Sequence, residues 1–373
     1  MSLINDLQLQ RDILRRKLGQ LLFDRKRSAP LHERKGKIVL LRWDAKLGDA
    51  IVSSWVAREI KRASPEREVW IVTTAAMVPL FRDHFGMDKV IEVPKRPGYG
   101  QLKRLAHSLG EVECLVHFGK MLKMKDIYFI SQVRADWVAG MDDALQAVNL
   151  KLGKASSGMH FSDKFALLLQ RLGVSNPDQQ YIVPTMSQPD ALASWWPAEP
   201  AEPVLCFNPY GSGSSRRLRP ELISQMLEQM LAAGSCAICL LYPPGMEEEV
   251  AGIRAGLSRP ERLLLSPDAP SLAGLFAQLR QCQGLISVDT ATVHIAAGLH
   301  KPILGLYNPD IGGGNENFLE WHPNSPSATV LFSTNTREQD INSLDLAEFE
   351  RTFRAWLLAN QAALSAAQSP ARA

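Results

Sequence analysis

From Lys37 onward the chain alternates short aliphatic runs with stretches of helical spacing, and it does so in two series. The first reads "KIVLLRW", a helix over Ala50 to Ala63, "EVWIVTT", a short helix in "VPLFRDHFG", "KVIEV", a helix in "YGQLKRLAHSLG", then "CLVHFG". The second reads "PVLCFNP", "PELISQMLEQMLAAG", "CAICLLY", "EEEVAGIRAGL", "RLLLS", "SLAGLFAQLRQC", "GLISV", "ATVHIAAGLH" and "PILGLY". Strands separated by helical crossovers make βαβ units and a parallel sheet. Between the series, "TMSQPDALASWWPAEPAEP" is rich in Pro and Ala and breaks both periods. At 373 residues the chain suits two domains better than one core.

The expected organisation is an N-terminal arm over 1–35, an α/β domain over 36–185, a linker over 186–203 and a second α/β domain over 204–340. A helix and tail follow over 341–373 with no strand after them, so the helix could pack back on the N-terminal domain. Open α/β sheets bind ligands outside the carboxyl ends of their strands, and two such sheets facing each other line a central cleft.

The N-terminal 37 residues carry ten Lys/Arg against four Asp/Glu, while the whole chain is only +3. Basicity therefore belongs to the arm, which argues against a broad nucleic-acid surface. Within the arm, apolar residues from Leu3 to Phe23 sit at near-helical spacing among Arg11, Arg15, Arg16 and Lys17. Such a helix either lies on an anionic membrane surface or packs on the body of the protein or on a second copy. No apolar run approaches the ~20 residues of a membrane span, and no secretory leader is evident, so a cytoplasmic protein is expected. The five cysteines fall mostly in strand-like runs, and the Cys236–Cys239 pair has no second pair to complete a zinc site. Buried thiols are expected.

Four strand-to-helix junctions carry polar groups. "LRWDAKLGDAIVSS" places Asp44, Lys46, Gly48 and Asp49 after the first strand. "NPYGSGSSRRLRP" offers Ser212, Gly213 and Arg217 before a helix, either as a phosphate cradle or as a basic surface loop. It is neither a Walker loop nor a dinucleotide turn. "YPPGMEEEV" presents Glu247. "SVDTATVHIAAG" presents Asp289, Thr290, Ala291, Thr292 and His294 at a helix start, which suits an anion, though Asp289 or Thr290 could simply cap the helix. Asp49 is either a cap or a general base.

Together these segments resemble glycosyltransferase family 9, the ADP-heptose:lipopolysaccharide heptosyltransferases. "KIVLLRWDAKLGDAIVSS" resembles the family's opening segment. "FNPYGSGSSRRLRPE" is similar to its N-P-G-x-S-x-x-K-x-W-P-x-E segment, and "ISVDTATVHIAAGLHKPILGLYNP" to its S-V-D-T-G-x-x-H-x-A-A-x-x-x-K-P signature. The resemblance implies a GT-B fold of two Rossmann-like domains. It also implies inverting transfer of heptose from ADP-heptose to a hydroxyl of the lipopolysaccharide inner core, with no metal or further cofactor. Asp49 would be the catalytic base, with Asp44, Lys46 and Gly48 on the acceptor side. Ser212, Gly213 and Arg217 would contact phosphate, Glu247 the ribose, and Asp289, Thr290, Ala291, Thr292 and His294 the heptose and diphosphate. Ala291, Arg217 and Arg219 replace residues usual in the family, so a different nucleotide-sugar donor stays open, as does a non-catalytic sugar-nucleotide-binding relative. The implied partners are the donor, a lipopolysaccharide acceptor and, through residues 1–35, the cytoplasmic face of the inner membrane, with no nucleic acid.

Overall fold

The computed structural model describes residues 3–28, 35–43, 46–186, 192, 195–197, 202–234, 236–312 and 317–366. The chain divides into two compact units, Met1–Gln180 and Tyr181–Ala373. The division falls a few residues ahead of the Pro/Ala-rich segment, most of which lies outside the described residues.

The first unit comprises α1 (Leu3–Phe23), β1 (Lys37–Arg42), α2 (Leu47–Val52), α3 (Val56–Ala63), β2 (Glu68–Thr73), α4 (Val78–Asp83) and β3 (Lys89–Glu92). It continues with α5 (Tyr99–Leu109), β4 (Glu111–His117), α6 (Met124–Gln132), β5 (Arg134–Gly140), β6 (Leu150–Lys151) and α7 (Phe161–Arg171). Its sheet runs β3-β2-β1-β4-β5-β6 and every pairing is parallel. The second unit comprises β7 (Val204–Asn208), α8 (Pro220–Ala233), β8 (Ala237–Leu240), α9 (Glu247–Ala255), β9 (Leu263–Leu264), α10 (Leu272–Gln281) and β10 (Gly284–Val288). After these come α11 (Ala291–Gly298), β11 (Ile303–Tyr307), α12 (Asn317–Trp321), β12 (Ala328–Phe332), α13 (Leu346–Ala359) and α14 (Gln361–Ala366). Its sheet runs β9-β8-β7-β10-β11-β12, again all parallel.

Both sheets thus have the doubly wound order 3-2-1-4-5-6. Helices cover both faces of such a sheet, so its central strands bury every side chain. The strands β7, β10 and β11 do so along their whole length. All five cysteines are buried free thiols.

The expected single helix over Ala50 to Ala63 is instead two. The Ser53 hydroxyl donates back to the Asp49 carbonyl at 2.8 Å, which competes with the helical ladder, and the fully buried Trp55 turns the chain into α3. In the C-terminal helix α13, Phe349, Phe353 and Trp356 bury their rings in the core of the second unit.

The arm is not a free appendage. Gly19 of α1 lies against Met124, where a Cβ would meet the Met124 Cα at 3.0 Å, so glycine lets α1 approach α6 closely. Arg16 forms a two-pronged pair with Asp142, at 2.5 and 2.9 Å, and donates to the Leu122 carbonyl at 2.6 Å. Arg27 caps the carbonyls of Ile130, Val133 and Ala135.

Candidate functional site

In each sheet the chain leaves the two central strands in opposite directions, which opens a crevice at their carboxyl ends. In the second unit that crevice lies between β7 and β10, whose ends are in register at Asn208 and Ser287. The Asn208 amide donates to the Thr292 hydroxyl at 3.0 Å, and Ser287 shares that hydroxyl at 2.8 Å, so the crevice is stitched by buried polar groups. Thr292 is thereby occupied in holding the scaffold.

The loop after β7 folds back on itself. Gly211 N–H donates to the Arg216 carbonyl at 2.9 Å, Tyr210 and Arg217 form an antiparallel bridge, and Gly213 takes φ +97°. Asn308, at the end of β11, donates to the Ser215 carbonyl at 2.8 Å and pins the loop. A Cβ on Gly211 would stand 2.4 Å from the Arg216 carbonyl oxygen, which is backbone and cannot swing away. Gly211→Ala should therefore open this loop and weaken nucleotide binding by about tenfold or more, read by calorimetric titration, with only a small change in melting temperature because the loop is at the surface.

Arg216 is what the loop delivers to the crevice. Its guanidinium lies 3.1 Å from the Asp289 carboxylate and 3.0 Å from the Ser212 hydroxyl. Asn317 donates to the same Asp289 oxygen. Burial pushes the Asp289 carboxyl up, and Arg216 opposes that shift. Next to Asp289, Thr290 is the N-cap of α11 but its side chain makes no capping hydrogen bond, and Ala291 begins the helix. The first turn of α11 therefore presents backbone N–H groups and the positive end of the helix dipole.

Two expectations change here. Arg217, the residue read as the phosphate contact, turns away: it stacks over the Tyr210 ring at 5.3 Å, with Glu249 at 3.6 Å. Its neighbour Arg216 takes the position beside Asp289. His294 is buried in α11, and burial, with His322 nearby, pushes its pKa down to about 4. Burial thus favours the neutral imidazole here. The shift also makes a stability statement. The folded value lies below the ordinary 6.5, so this contribution is complete above pH 6.5 and is lost as pH falls toward 4. Unfolding free energy should drop by up to about 3 kcal/mol across that window, and His294→Leu should flatten this part of the slope in urea titrations at pH 7 and pH 4.5.

Beyond β8, Tyr242, Pro243, Ser266 and Ser271 help line a cavity of about 340 Å³, in the size range of small-molecule sites. Glu247 opens α9 at the surface nearby in sequence, its carboxylate accepting from Gly245 N–H at 3.1 Å.

In the first unit the equivalent crevice lies between β1 and β4. Lys46 is the N-cap of α2 without a side-chain bond, Gly48 follows in the first turn, and Asp49 lies inside the helix. Asp49 is therefore not the capping residue. Its carboxylate sits 3.0 Å from the Arg42 guanidinium at the end of β1, and its side chain is 14% exposed. That is a largely buried carboxylate held beside a cation. Asp44 lies outside the described residues. Arg42, Asn308 and Asn317 were not singled out from the sequence. The Asn-Pro pairs at 208–209 and 308–309, each ending a central strand, are the signal that could have marked Asn308.

A search of curated protein sequences returns no match. Solved structures do match in fold. A glycosyl transferase family 9 protein from Veillonella parvula is 16% identical, with a TM-score of 0.68 over 89% of this chain and all of that one. The Escherichia coli ADP-heptose lps heptosyltransferase II is 15% identical, TM-score 0.64, over 87% and 99% of the two chains. The E. coli heptosyltransferase WaaC with ADP is 15% identical, TM-score 0.61, over 86% and 99%. At such identities these likenesses speak for the fold alone. The family model does more: "Glycosyltransferase family 9 (heptosyltransferase)" matches residues 128–348, more than half of the chain and including every polar junction of the second unit. With its two doubly wound sheets and its crevice at β7 and β10, the chain belongs to glycosyltransferase family 9.

Proposed function

We propose that this glycosyltransferase moves heptose from ADP-heptose to a hydroxyl of the lipopolysaccharide inner core, with inversion. The observation that carries the reading is the gathering of Ser212, Arg216 and Asp289 beside the start of α11, where a diphosphate would meet a guanidinium and unpaired N–H groups at once. The structural relatives are described with ADP and with ADP-2-deoxy-2-fluoro heptose, which supports an adenine nucleotide as the leaving group here. Glu247 and the cavity beyond β8 would receive the nucleoside. Asp49 would take the proton of the acceptor hydroxyl. The resulting oxygen would attack the anomeric carbon from the face opposite the diphosphate, and the carbon–oxygen bond to ADP would break with its electron pair leaving on ADP. Arg216 and the α11 terminus would neutralise that charge, so transfer needs no divalent metal. The test is calorimetric titration with ADP, UDP and GDP, beside transfer assays with ADP-heptose in chelator. ADP should bind at least about tenfold more tightly than the others, and transfer should survive chelation. Equal affinity for UDP would overturn the donor, and transfer restored only by Mg²⁺ or Mn²⁺ would overturn the metal-free step.

The proposal extends to a peripheral membrane contact through α1. No helix among the described residues is long and apolar enough to cross a membrane. Yet Leu14, Leu18, Leu21 and Leu22 form one stripe of α1, and Leu14 and Leu21 are 69% and 74% exposed. The stripe is flanked by the exposed Arg11, Arg15 and Lys17. Apolar side chains bordered by cations suit an anionic lipid surface. Because Arg16 anchors α1, the test changes the stripe and leaves the anchor: Leu14→Glu/Leu21→Glu should abolish co-sedimentation with anionic vesicles. Undiminished binding would leave the stripe without this role.

A further inference from the structure

The helix α9 opens on three glutamates, and only the third turns inward: Glu247 and Glu248 are exposed, while Glu249 is half-buried. Acids in a first turn are ordinary company for a helix dipole. Glu249, however, is engaged beyond its own helix. One of its oxygens accepts the Tyr210 hydroxyl at 2.9 Å, and the other lies 3.6 Å from the Arg217 guanidinium. Burial, with Glu249 beside it, pushes the pKa of the Tyr210 phenol up, so the hydroxyl stays a donor. Met246, the N-cap of α9, meets the same guanidinium through its sulfur at 2.8 Å.

Tyr210 and Arg217 are the two residues that close the neck of the loop after β7, bridged to each other as antiparallel partners. The backbone of that neck is held independently. Tyr210 N–H donates to the Asn208 side-chain oxygen at 3.1 Å, and the Asn342 amide donates to the Arg217 carbonyl at 3.0 Å. What α9 adds is a grip on the side chains. Arg217 is extended, so its side chain and that of Arg216 leave the chain on opposite sides. With Arg217 drawn to α9, Arg216 faces Asp289 at 3.1 Å.

We propose that Glu249 is a positioning residue: by holding Tyr210 and Arg217 on the α9 side of the loop, it aims Arg216 at the diphosphate of the donor. The role rests on reading this crevice as a diphosphate site. Charge alone would act with the opposite sign. A carboxylate near a bound anion repels it, so removing Glu249 would tighten anion binding unless that carboxylate is what keeps Arg216 in place.

The experiment is calorimetric titration of the full chain with ADP, UDP, inorganic pyrophosphate and adenosine, on wild type, Glu249→Ala, Arg216→Gln and the double variant. Glu249→Ala should weaken ADP and pyrophosphate by about tenfold and leave adenosine unchanged. In the Arg216→Gln background the same change should cost nothing further, because the residue it acts through is gone. Tyr210→Phe, which removes one hydroxyl and no charge, should weaken pyrophosphate by about threefold and serves as the second variant should Glu249→Ala lose its fold. Unchanged or tighter pyrophosphate binding by Glu249→Ala, or by Tyr210→Phe in its place, overturns the proposal. So does a loss that multiplies with that of Arg216→Gln, or one that falls equally on adenosine. The expected pattern with pyrophosphate, in a protein that binds UDP more tightly than ADP, upholds the positioning role and contradicts the ADP-linked donor instead.

Discussion

Asp49→Asn should lower transfer by ~10²–10⁴ while leaving ADP affinity close to that of the wild type. The amide keeps the shape and the neighbour Arg42 but cannot accept a proton, so the loss falls on the chemical step. The two roles open to this carboxylate separate cleanly. As a base it must reach an acceptor hydroxyl. As a purely structural partner of Arg42, 3.0 Å away, it would matter for stability and not for turnover. Steady-state kinetics with the melting temperature measured alongside distinguish them. A variant that melts lower but turns over at the normal rate would make Asp49 a support for β1 and nothing more.

Asp142→Ala should cost about 3–5 kcal/mol of unfolding free energy. Asp142 is 4% exposed and Arg16 13%. The carboxylate accepts both guanidinium prongs and the Leu122 N–H at 2.8 Å. Truncating it leaves a nearly buried cation without its counter-charge and a buried N–H without its acceptor. The same substitution should loosen α1, seen as faster amide exchange over 11–23. Arg16→Ala should cost a similar amount, and the double variant should cost clearly less than the sum. Strict additivity in urea titrations would mean that α1 is held by its other contacts.

The topology was legible in the sequence because a buried parallel strand is an aliphatic run and its crossover helix has its own period. What escaped was the periphery. The strand β5, "RADWVAG", begins with exposed and half-buried positions and follows α6 with no turn residue between them. The strand β6 has two residues, and β12 is largely half-buried, as befits an edge. The polar junctions were visible as motifs, yet side-chain direction was not. Arg216 and Arg217 are adjacent, and only the closure of the loop by Gly211 decides which one meets Asp289. His294 likewise looked like a donor to an anion, and only its burial reveals a neutral ring. The arm's amphipathic spacing was correct as a pattern, but its docked face depends on Gly19 and on Asp142, over a hundred residues away.

The central claim, heptosyl transfer to the lipopolysaccharide core, is tested most directly by the mass of that core in cells with and without this gene. The account predicts a core shortened by one heptose, together with whatever is built upon it, in cells lacking the gene. Restoration should follow from the wild-type gene and not from Asp49→Asn. An unchanged core, or one lacking a different sugar at that position, would contradict it.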